Sequence, residues 1–142
     1  IIFLDFETTG LDIDFDWIVE FTTLKVYPDG SNQIKSEILN PGISIPSVAT
    51  SIHGIYDKDV ESKQKFIEYA KSLYDFFSDC DIAGYNVKKY DVPLMVNEFK
   101  RVDIDFDIDL HTIIDSMIIF HTLEPLERPR DLTAAYKKYC GK

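Results

Sequence analysis

The first ten residues, IIFLDFETTG, constrain the fold of this chain more than any other stretch. A short apolar run that ends at a turn signal is typical of a strand buried on both faces of a sheet. Successive side chains of a strand point to opposite faces, so Asp5 and Glu7 should lie on one face and Phe6 on the other. The sequence therefore predicts two carboxylates side by side at the end of a buried strand.

This pair of carboxylates suggests a bound cation. The two acids repel each other and resist removal from water, and a hard divalent cation with oxygen ligands would compensate for both effects. A D-x-E pattern is short and common, and a solvated strand end with two ordinary acids is the alternative interpretation. The Thr-Thr-Gly that follows, together with a second motif downstream, favours the cation.

The length and composition fit one domain with an adequate core, and the acidic charge limits how the chain can bind nucleic acid. The 142 residues are 45% hydrophobic and 28% charged, with a formal net charge of −10 and a pI near 4.6. A protein that grips long nucleic acid by itself is usually basic. If this chain acts on nucleic acid, we expect it to touch few phosphates, to use metal ions against the repulsion, or to be delivered by a partner.

The two cysteines, Cys80 and Cys140, form no C-x-x-C pair, so neither a disulfide framework nor a metal knuckle is indicated. We expect reduced thiols in a cytoplasmic protein. No apolar run approaches the roughly 18 residues of a membrane span, and no signal-peptide pattern is present. Because the chain starts without Met inside a predicted strand, we expect it to be a fragment or a trimmed domain.

The first half of the chain predicts an antiparallel meander of three strands. After the first strand, residues 17–27 are rich in β-branched and aromatic side chains, with Val19 and Phe21 on one face. A strong turn signal at 28–32 leads to a third strand at 33–40. Short connections of this kind favour antiparallel neighbours.

The second half alternates helices and short strands. The clearest helix is predicted at 66–77, where apolar and aromatic residues recur at helical spacing, and we expect that stripe to be a core face rather than a base-stacking platform. The remaining predicted elements are short helical pieces at 43–60, a strand at 81–85, a helix at 91–101, an acidic loop or strand at 102–110, a strand that turns helical at 111–120, and a helix at 132–139. This order predicts an α/β fold with a mixed five-stranded sheet flanked by helices.

A second motif, Asn86-Val87-Lys88-Lys89-Tyr90-Asp91, lies where a predicted strand gives way to a helix. The positive end of the helix dipole favours the ionised form of Asp91, which is the form that binds a metal. The alternative is that Asp91 serves only as the helix N-cap, a frequent use of Asp. The residues of this motif alone do not choose between the two interpretations.

Together the two motifs resemble those of the DEDD exonuclease superfamily, in particular the proofreading epsilon subunit of bacterial DNA polymerase III and its relatives. The family's first motif is D-x-E-T-T-G, matched by residues 5–10, and its second is N-x-x-x-[FY]-D, matched by residues 86–91. The I-H-G-I segment at 52–55 and the helix at 66–77 also resemble the family pattern, so the resemblance covers essentially the whole chain. It implies a ribonuclease H-like fold and a metal-dependent exonuclease that removes nucleotides from 3′ ends.

The resemblance also implies roles for individual residues. Asp5, Glu7 and Asp91 match the catalytic carboxylates that bind two divalent cations, Mg²⁺ or Mn²⁺. Single-stranded nucleic-acid 3′ ends are the implied substrate, and a DNA polymerase subunit is an expected partner. The resemblance also implies a set of substrate-contacting residues: Phe6, Thr8, Thr9, Gly10, Leu11, Asn86 and His53. For His53, a purely structural role is the alternative.

Two features depart from the family pattern. Many relatives carry His where this chain has Tyr85, which suggests an altered substrate contact. The family's third motif, a general-base His and a fourth Asp on a later helix, has no match in the 142 residues, because His111 and His121 come too early. We therefore expect residues 1–142 to form a single exonuclease domain that lacks its start and its C-terminal helix, and that has weak activity or none by itself.

Two other functions stay open. A standalone oligoribonuclease-type exonuclease would carry the same motifs, and the sequence does not choose between DNA and RNA, because the 2′-OH is recognised by site geometry. A non-catalytic ribonuclease H-like module that binds nucleic acid or a protein is the alternative outside the enzyme class. The presence of all three carboxylates argues against that module.

Overall fold

A mixed five-stranded sheet organises the protein, and the computed structural model describes residues 1–141. The strands are β1 (Ile2–Thr8), β2 (Ile18–Val26), β3 (Asn32–Ile38), β4 (Ile82–Gly84) and β5 (Ile113–Asp115). They lie in the order β3-β2-β1-β4-β5, which puts β1 at the centre. β2 pairs antiparallel with β1 and β3, whereas β4 pairs parallel with both β1 and β5. The predicted meander and the mixed five-stranded sheet are confirmed.

Helices flank this sheet close to the predicted positions. They are α1 (Ser47–His53), α2 (Asp57–Val60), α3 (Phe66–Phe77), α4 (Asp91–Arg101), α5 (Ser116–Leu123) and α6 (Leu132–Cys140), with a 3₁₀ turn at Ile108–Leu110 inside the acidic stretch. The bounds of α3 and α4 match the prediction, and α6 ends one residue later than expected. Within residues 1–141, none of the helices is long and apolar enough to span a membrane.

Helices α3 and α4 cover one face of the sheet and build the main core with it. Ile2 and Leu4 of β1 pack there against apolar side chains of both helices. Phe99 of α4 has its ring centroid 5.3 Å from that of Phe66 and 5.0 Å from that of Phe106. The aromatic stripe of α3 therefore belongs to the core, as predicted.

The opposite face of the sheet is covered only in part. α1 and α2 pack there against Val19 and Ile38 in a second, smaller cluster. Phe3, on the central strand, is 44% exposed, and Asp5 is exposed on the same face. The prediction of a first strand buried on both faces is therefore wrong, because α3 and α4 cover the Ile2 face while the Phe3 face stays partly open.

A register irregularity at the end of β1 changes the expected pattern of β2. Glu7 pairs with Glu20 and Thr8 pairs with Ile18, so Val19 has no partner in β1. An extra residue of this kind inverts the alternation of side chains beyond it. Ile18 consequently joins the main core, Val19 joins the smaller cluster, and the predicted sharing of one face by Val19 and Phe21 is wrong.

Candidate active site

The three predicted carboxylates lie around the C-terminal end of β1. Asp5 and Glu7 belong to β1, and Asp91 is the first residue of α4. The backbone amide of Phe6 donates a hydrogen bond of 3.1 Å to Oδ1 of Asp91. Strand β4 has already ended at Gly84, so the Asp91 carboxylate supplies the acceptor that a further strand carbonyl would otherwise give. This bond fixes Asp91 beside the two acids of β1.

Asp91 does not cap α4, so the N-cap alternative for this residue does not fit the structure. The N-cap residue is Tyr90, which makes no side-chain capping hydrogen bond. The Asp91 carboxylate points to β1 because the Phe6 amide needs an acceptor there. It still lies in the first turn of α4, where the helix dipole favours a negative charge.

Burial and mutual repulsion raise the pKa values of these carboxylates. Burial is the largest cause for Asp91, whose pKa rises to about 7, and the charges of Asp5 and Glu7 add to the rise while the Phe6 amide opposes it. The pKa of Glu7 is raised by burial and then by Asp5, against a smaller opposite effect of His53. Burial also raises the pKa of the Asp5 carboxyl, although the residue as a whole is exposed on the open face. Among residues 1–141, no basic side chain forms an ion pair with any of the three.

The chemistry of this donor set fits a hard divalent cation. All three side chains offer oxygen ligands, and a cation would offset negative charge that no basic residue neutralises. In the part of the chain that the structure describes, no group of three or more Asp, Glu, His or Cys side chains is arranged as a metal site. Asp5, Glu7 and Asp91 are thus close enough to affect one another's pKa values, but they do not form a complete preformed ligand set.

A cavity of about 140 Å³ opens beside Asp5 and Asp91. It lies between the end of β1, the loop that follows β1 and the first turn of α4, with Leu11 75% exposed. Four of the predicted substrate-contacting residues share this cavity with two of the carboxylates. The residues that line it are Asp5, Phe6, Thr8, Gly10, Leu11, Asp12, Ile13, Tyr90, Asp91 and Leu94.

Thr9 and Asp16 hold the loop that follows β1. The Thr9 hydroxyl donates to Oδ1 of Asp16 at 2.7 Å and accepts the amide of Trp17 at 3.0 Å. A Cβ on Gly10 would overlap the Asp16 carboxylate, so the close approach requires glycine. Thr9 is 1% exposed. A substrate contact by its side chain does not fit this placement, because the hydroxyl is buried and bonded within the loop.

Two side chains of α4 anchor the same loop, and the sequence analysis did not find them. Arg101 donates to the carbonyls of Asp14 and Asp16 at 2.7 Å each, and its guanidinium lies 4.0 Å from the ring centroid of Trp17. Glu98 is buried, pairs with Arg101 and accepts a backbone amide of β2 at 3.1 Å. A Glu and an Arg three residues apart near the end of a helix were the available signal.

His53 lies beside the site with both ring nitrogens bonded to the backbone. Nδ1 accepts the amide of Ile55 at 3.0 Å, so Nε2 carries the proton and donates to the carbonyl of Thr8 at 3.2 Å. These bonds fit the structural alternative for His53. The effect of His53 on the pKa of Glu7 shows that the ring is near the carboxylates, although it does not line the cavity.

The second motif forms a turn with an uncommon backbone conformation. Asn86 has a φ of 64°, in the left-handed region that Asn tolerates better than most residues, and its side chain does not line the cavity. Tyr85, at the position where the resembling family carries His, donates from its hydroxyl to the carbonyl of Arg130 at 2.7 Å. Tyr85 therefore tethers the segment between α5 and α6.

The mixed sheet, its flanking helices and the three carboxylates around the end of β1 define a protein of the ribonuclease H-like class. The sequence profile of the exonuclease family described as RNase_T matches residues 2–142, and the chain belongs to this family of 3′–5′ exonucleases.

Comparisons with individual proteins agree with this family. The chain is 27% identical over 138 residues to the DNA polymerase III PolC-type of Latilactobacillus sakei, covering 97% of this chain and 9% of that protein. It is 24% identical over 135 residues to the PolC-type polymerase of Streptococcus pyogenes, covering 95% and 8%. The chain therefore spans less than a tenth of the length of these curated relatives.

Solved structures show the same fold. A structure of exonuclease I superposes with a TM-score of 0.83 at 18% identity, covering 98% of this chain and 35% of that one. Escherichia coli exonuclease I in complex with a dT13 oligonucleotide gives a TM-score of 0.78 at 20% identity, covering 90% and 30%. These similarities extend over nearly the whole sheet and its flanking helices.

Proposed function

We propose that this chain supplies three metal-binding carboxylates to an exonuclease domain that hydrolyses phosphodiester bonds at the 3′ ends of nucleic acid with two divalent cations, Mg²⁺ or Mn²⁺. One observation carries the proposal: the Phe6 amide holds Asp91 beside Asp5 and Glu7, and no basic side chain in residues 1–141 neutralises the three. Clustered carboxylates with raised pKa values beside a cavity are typical of functional sites.

Asp5, Glu7 and Asp91 would hold the cations. When bound, divalent cations supply a Lewis acid and make water nucleophilic at neutral pH. Phe6, Leu11 and Tyr90 offer aromatic and apolar surface at the cavity, on which a terminal base or sugar can pack.

The remaining predicted contacts divide by their position. Thr8 and Gly10 line the cavity and stay proposed substrate contacts, whereas the buried Thr9 holds the loop beside it. The bonds of His53 to Thr8 and of Asn86 within its turn support roles in holding the site.

We also propose that the general base and a fourth carboxylate come from a segment that covers the Phe3 face of β1. His111 and His121 are bonded elsewhere, to the carbonyls of Cys80 at 2.7 Å and Arg130 at 2.8 Å. Strands with parallel neighbours are usually covered on both faces, and β1 pairs parallel with β4, so the 44% exposure of Phe3 supports a further packing segment in the active enzyme.

A proofreading role beside a DNA polymerase is the finer proposal. The similarity to two PolC-type polymerases supports it, and the net charge of −10 favours delivery of a strand end by a partner over independent binding of long nucleic acid. A standalone exonuclease is the alternative within the class. A non-catalytic binding module is favoured only by the absence of a preformed three-residue ligand set within residues 1–141.

A cleavage assay with the full-length protein tests the proposal. With Mn²⁺ and 5′-labelled single-stranded DNA or RNA, we expect shortening from the 3′ end and release of mononucleotides. Asp5→Ala should abolish cleavage, whereas Asp29→Ala, which removes an exposed acid in the β2–β3 turn, should retain it. Binding of the oligonucleotide without cleavage by the folded parent would support the binding module instead.

A further inference from the structure

We propose that Asp115 is a positioning residue that holds the turn of the second motif and thereby fixes Asp91 beside β1. This inference rests on the proposed role of Asp91 as a metal ligand. The sequence of residues 111–120 indicates only that a strand turns helical there.

The Asp115 carboxylate joins two distant parts of the chain. Its Oδ1 accepts the amide of Asn86 at 2.9 Å and that of Met117 at 3.0 Å, and its Oδ2 accepts the amide of Lys88 at 3.1 Å. The bond to Met117 caps α5, while the other two reach the turn between β4 and α4. Asp115 is 4% exposed, so its carboxylate faces this turn and not the cavity.

The turn at 85–90 depends on this carboxylate for two of its amides. Inside the turn, the amide of Lys89 donates to the carbonyl of Asn86 at 3.2 Å. The amide of Val92, in α4, donates to the carbonyl of Val87 at 3.0 Å. The amides of Asn86 and Lys88 are bonded instead to Asp115. Without Asp115, these amides would lack that acceptor in a segment already held at a positive φ.

A displacement of the turn would reach Asp91 directly, because Asp91 follows Lys88 by three residues. The turn also packs tightly against the end of β4: Val87 is 1% exposed, and a Cβ on Gly84 would overlap its side chain and approach the carbonyl oxygen of Leu4 in β1. A short segment of chain therefore connects the residues that Asp115 holds to Asp91, whose carboxylate accepts the Phe6 amide.

The competing interpretation is that Asp115 is only a helix cap. Asp131 provides the matched case, since its carboxylate accepts the amide of Ala134 at 2.8 Å and caps α6. The Asp131 carboxylate makes no hydrogen bond to the second-motif turn in residues 1–141. Replacing each Asp by Asn removes one charge from a helix N-cap in both cases, but only Asp115→Asn sets an amide NH₂ group against the amides of the turn.

Amide hydrogen exchange at Phe6, measured by NMR without metal, tests the positioning role. Asp115→Asn should speed exchange of the Phe6 amide about tenfold or more, because local opening of its bond to Asp91 becomes easier. Asp131→Asn should leave the Phe6 rate as in the parent. Faster exchange confined to Asn86 and Lys88, with Phe6 unchanged, would overturn the proposal.

A Mn²⁺ titration followed by EPR gives the second readout. Groups that orient metal ligands typically change metal affinity about 10- to 100-fold when altered, so Asp115→Asn should weaken Mn²⁺ binding by at least about tenfold. Phe77→Leu, a core substitution in α3, controls for lost stability and should bind Mn²⁺ like the parent when folded. Equal Mn²⁺ affinity in Asp115→Asn and the parent would also overturn the proposal.

The two failures are distinguishable. If Asp5→Asn leaves Mn²⁺ binding unchanged, the proposed function fails, while the Phe6 exchange rate still decides whether Asp115 positions Asp91. If Asp5→Asn weakens Mn²⁺ binding and Asp115→Asn does not, the proposed function stands and the role of Asp115 fails.

Discussion

The backbone amide of Phe6 and the carboxylate of Asp91, 85 residues apart in the sequence, are joined by a hydrogen bond of 3.1 Å. The bond satisfies an amide of the central strand at the place where β4 has ended. It also places a third carboxylate beside Asp5 and Glu7. One side chain therefore accepts a backbone amide of β1 and also contributes a carboxylate to the candidate metal site.

This bond predicts a difference between two substitutions of Asp91. Asp91→Asn keeps an acceptor for the Phe6 amide, whereas Asp91→Ala leaves that amide without one, and both variants remove the charge. We expect Asp91→Ala to be less stable than Asp91→Asn by about 1–3 kcal/mol, the usual cost of an unsatisfied buried amide. Urea unfolding in EDTA measures the difference, and equal stability of the two variants would show that the Phe6 bond contributes nothing.

The raised pKa of Asp91 predicts that the metal-free protein loses stability as the pH rises. An acid whose pKa is raised on folding binds its proton more tightly when folded, so its contribution is complete below the ordinary value and is lost through the folded value. For Asp91 this window runs from 3.8 to about 7. The raised pKa values of Asp5, Glu7 and Glu98 act in the same direction.

Urea unfolding in EDTA at pH 5 and pH 8 measures this effect, with Asp91→Asn as the matched variant. Between pH 5 and pH 8 the loss of stability due to Asp91 is at most about 3 kcal/mol, and Asp91→Asn should show a flatter pH dependence. The difference between parent and variant is the informative quantity, because the raised pKa values of Glu7 and Glu98 add to the pH dependence of both proteins. The same slope in both proteins would contradict the assignment of a raised pKa to Asp91.

The close packing around Gly84 predicts that a larger side chain at this position will displace the second-motif turn. A Cβ at Gly84 would overlap the Val87 side chain and approach the carbonyl oxygen of Leu4 to 2.8 Å. Gly84→Ala should therefore cost about 1–3 kcal/mol, the usual range for overpacking, and should displace the turn. Gly30→Ala is the control, because φ is +83° there but no atom lies within 4 Å of an added Cβ. Equal Mn²⁺ binding and equal stability in Gly84→Ala and the parent would contradict the tight packing of the turn against the end of β4.

The hydrogen bonds of the Thr9 hydroxyl predict that this group stabilises the loop after β1. Thr9→Val removes a buried group that donates to Asp16 and accepts the Trp17 amide, so we expect a loss of about 1–3 kcal/mol. Thr22→Val is the control, since the Thr22 hydroxyl bonds only with Ser36 in an exposed pair. Thermal unfolding followed by the fluorescence of Trp17 compares the two variants. A loss no larger in Thr9→Val than in Thr22→Val would contradict the anchoring role.

The sheet and the position of the candidate site could be predicted from the sequence, because both follow from local patterns. The apolar run before Asp5, the i, i+2 spacing of Asp5 and Glu7, and the strand-to-helix change before Asp91 are each visible in a short window. Features that depend on contacts between elements were not visible. The Asp91 carboxylate accepts the Phe6 amide and does not cap α4. The helices leave Phe3 partly exposed, although burial of β1 on both faces was expected.

Two further features needed the folded chain. The bulge at Val19 inverted the predicted face of β2, because alternation carries no signal of an extra residue. The role of Asp115 depends on hydrogen bonds to the amides of Asn86 and Lys88, which are distant in the sequence. Its one sequence signal is the same as that of Asp5, an acid that directly follows a short apolar run.

The central claim is that Asp5, Glu7 and Asp91 bind a divalent cation together, and a Mn²⁺ titration at pH 7.5 followed by EPR tests it most directly. We predict saturable binding by the parent chain, at least about tenfold weaker binding in Asp5→Asn and in Asp91→Asn, and unchanged binding in Asp29→Asn. Equal Mn²⁺ affinity in the parent and in all three variants would contradict the claim, because the bound ion would then lie elsewhere on this acidic protein.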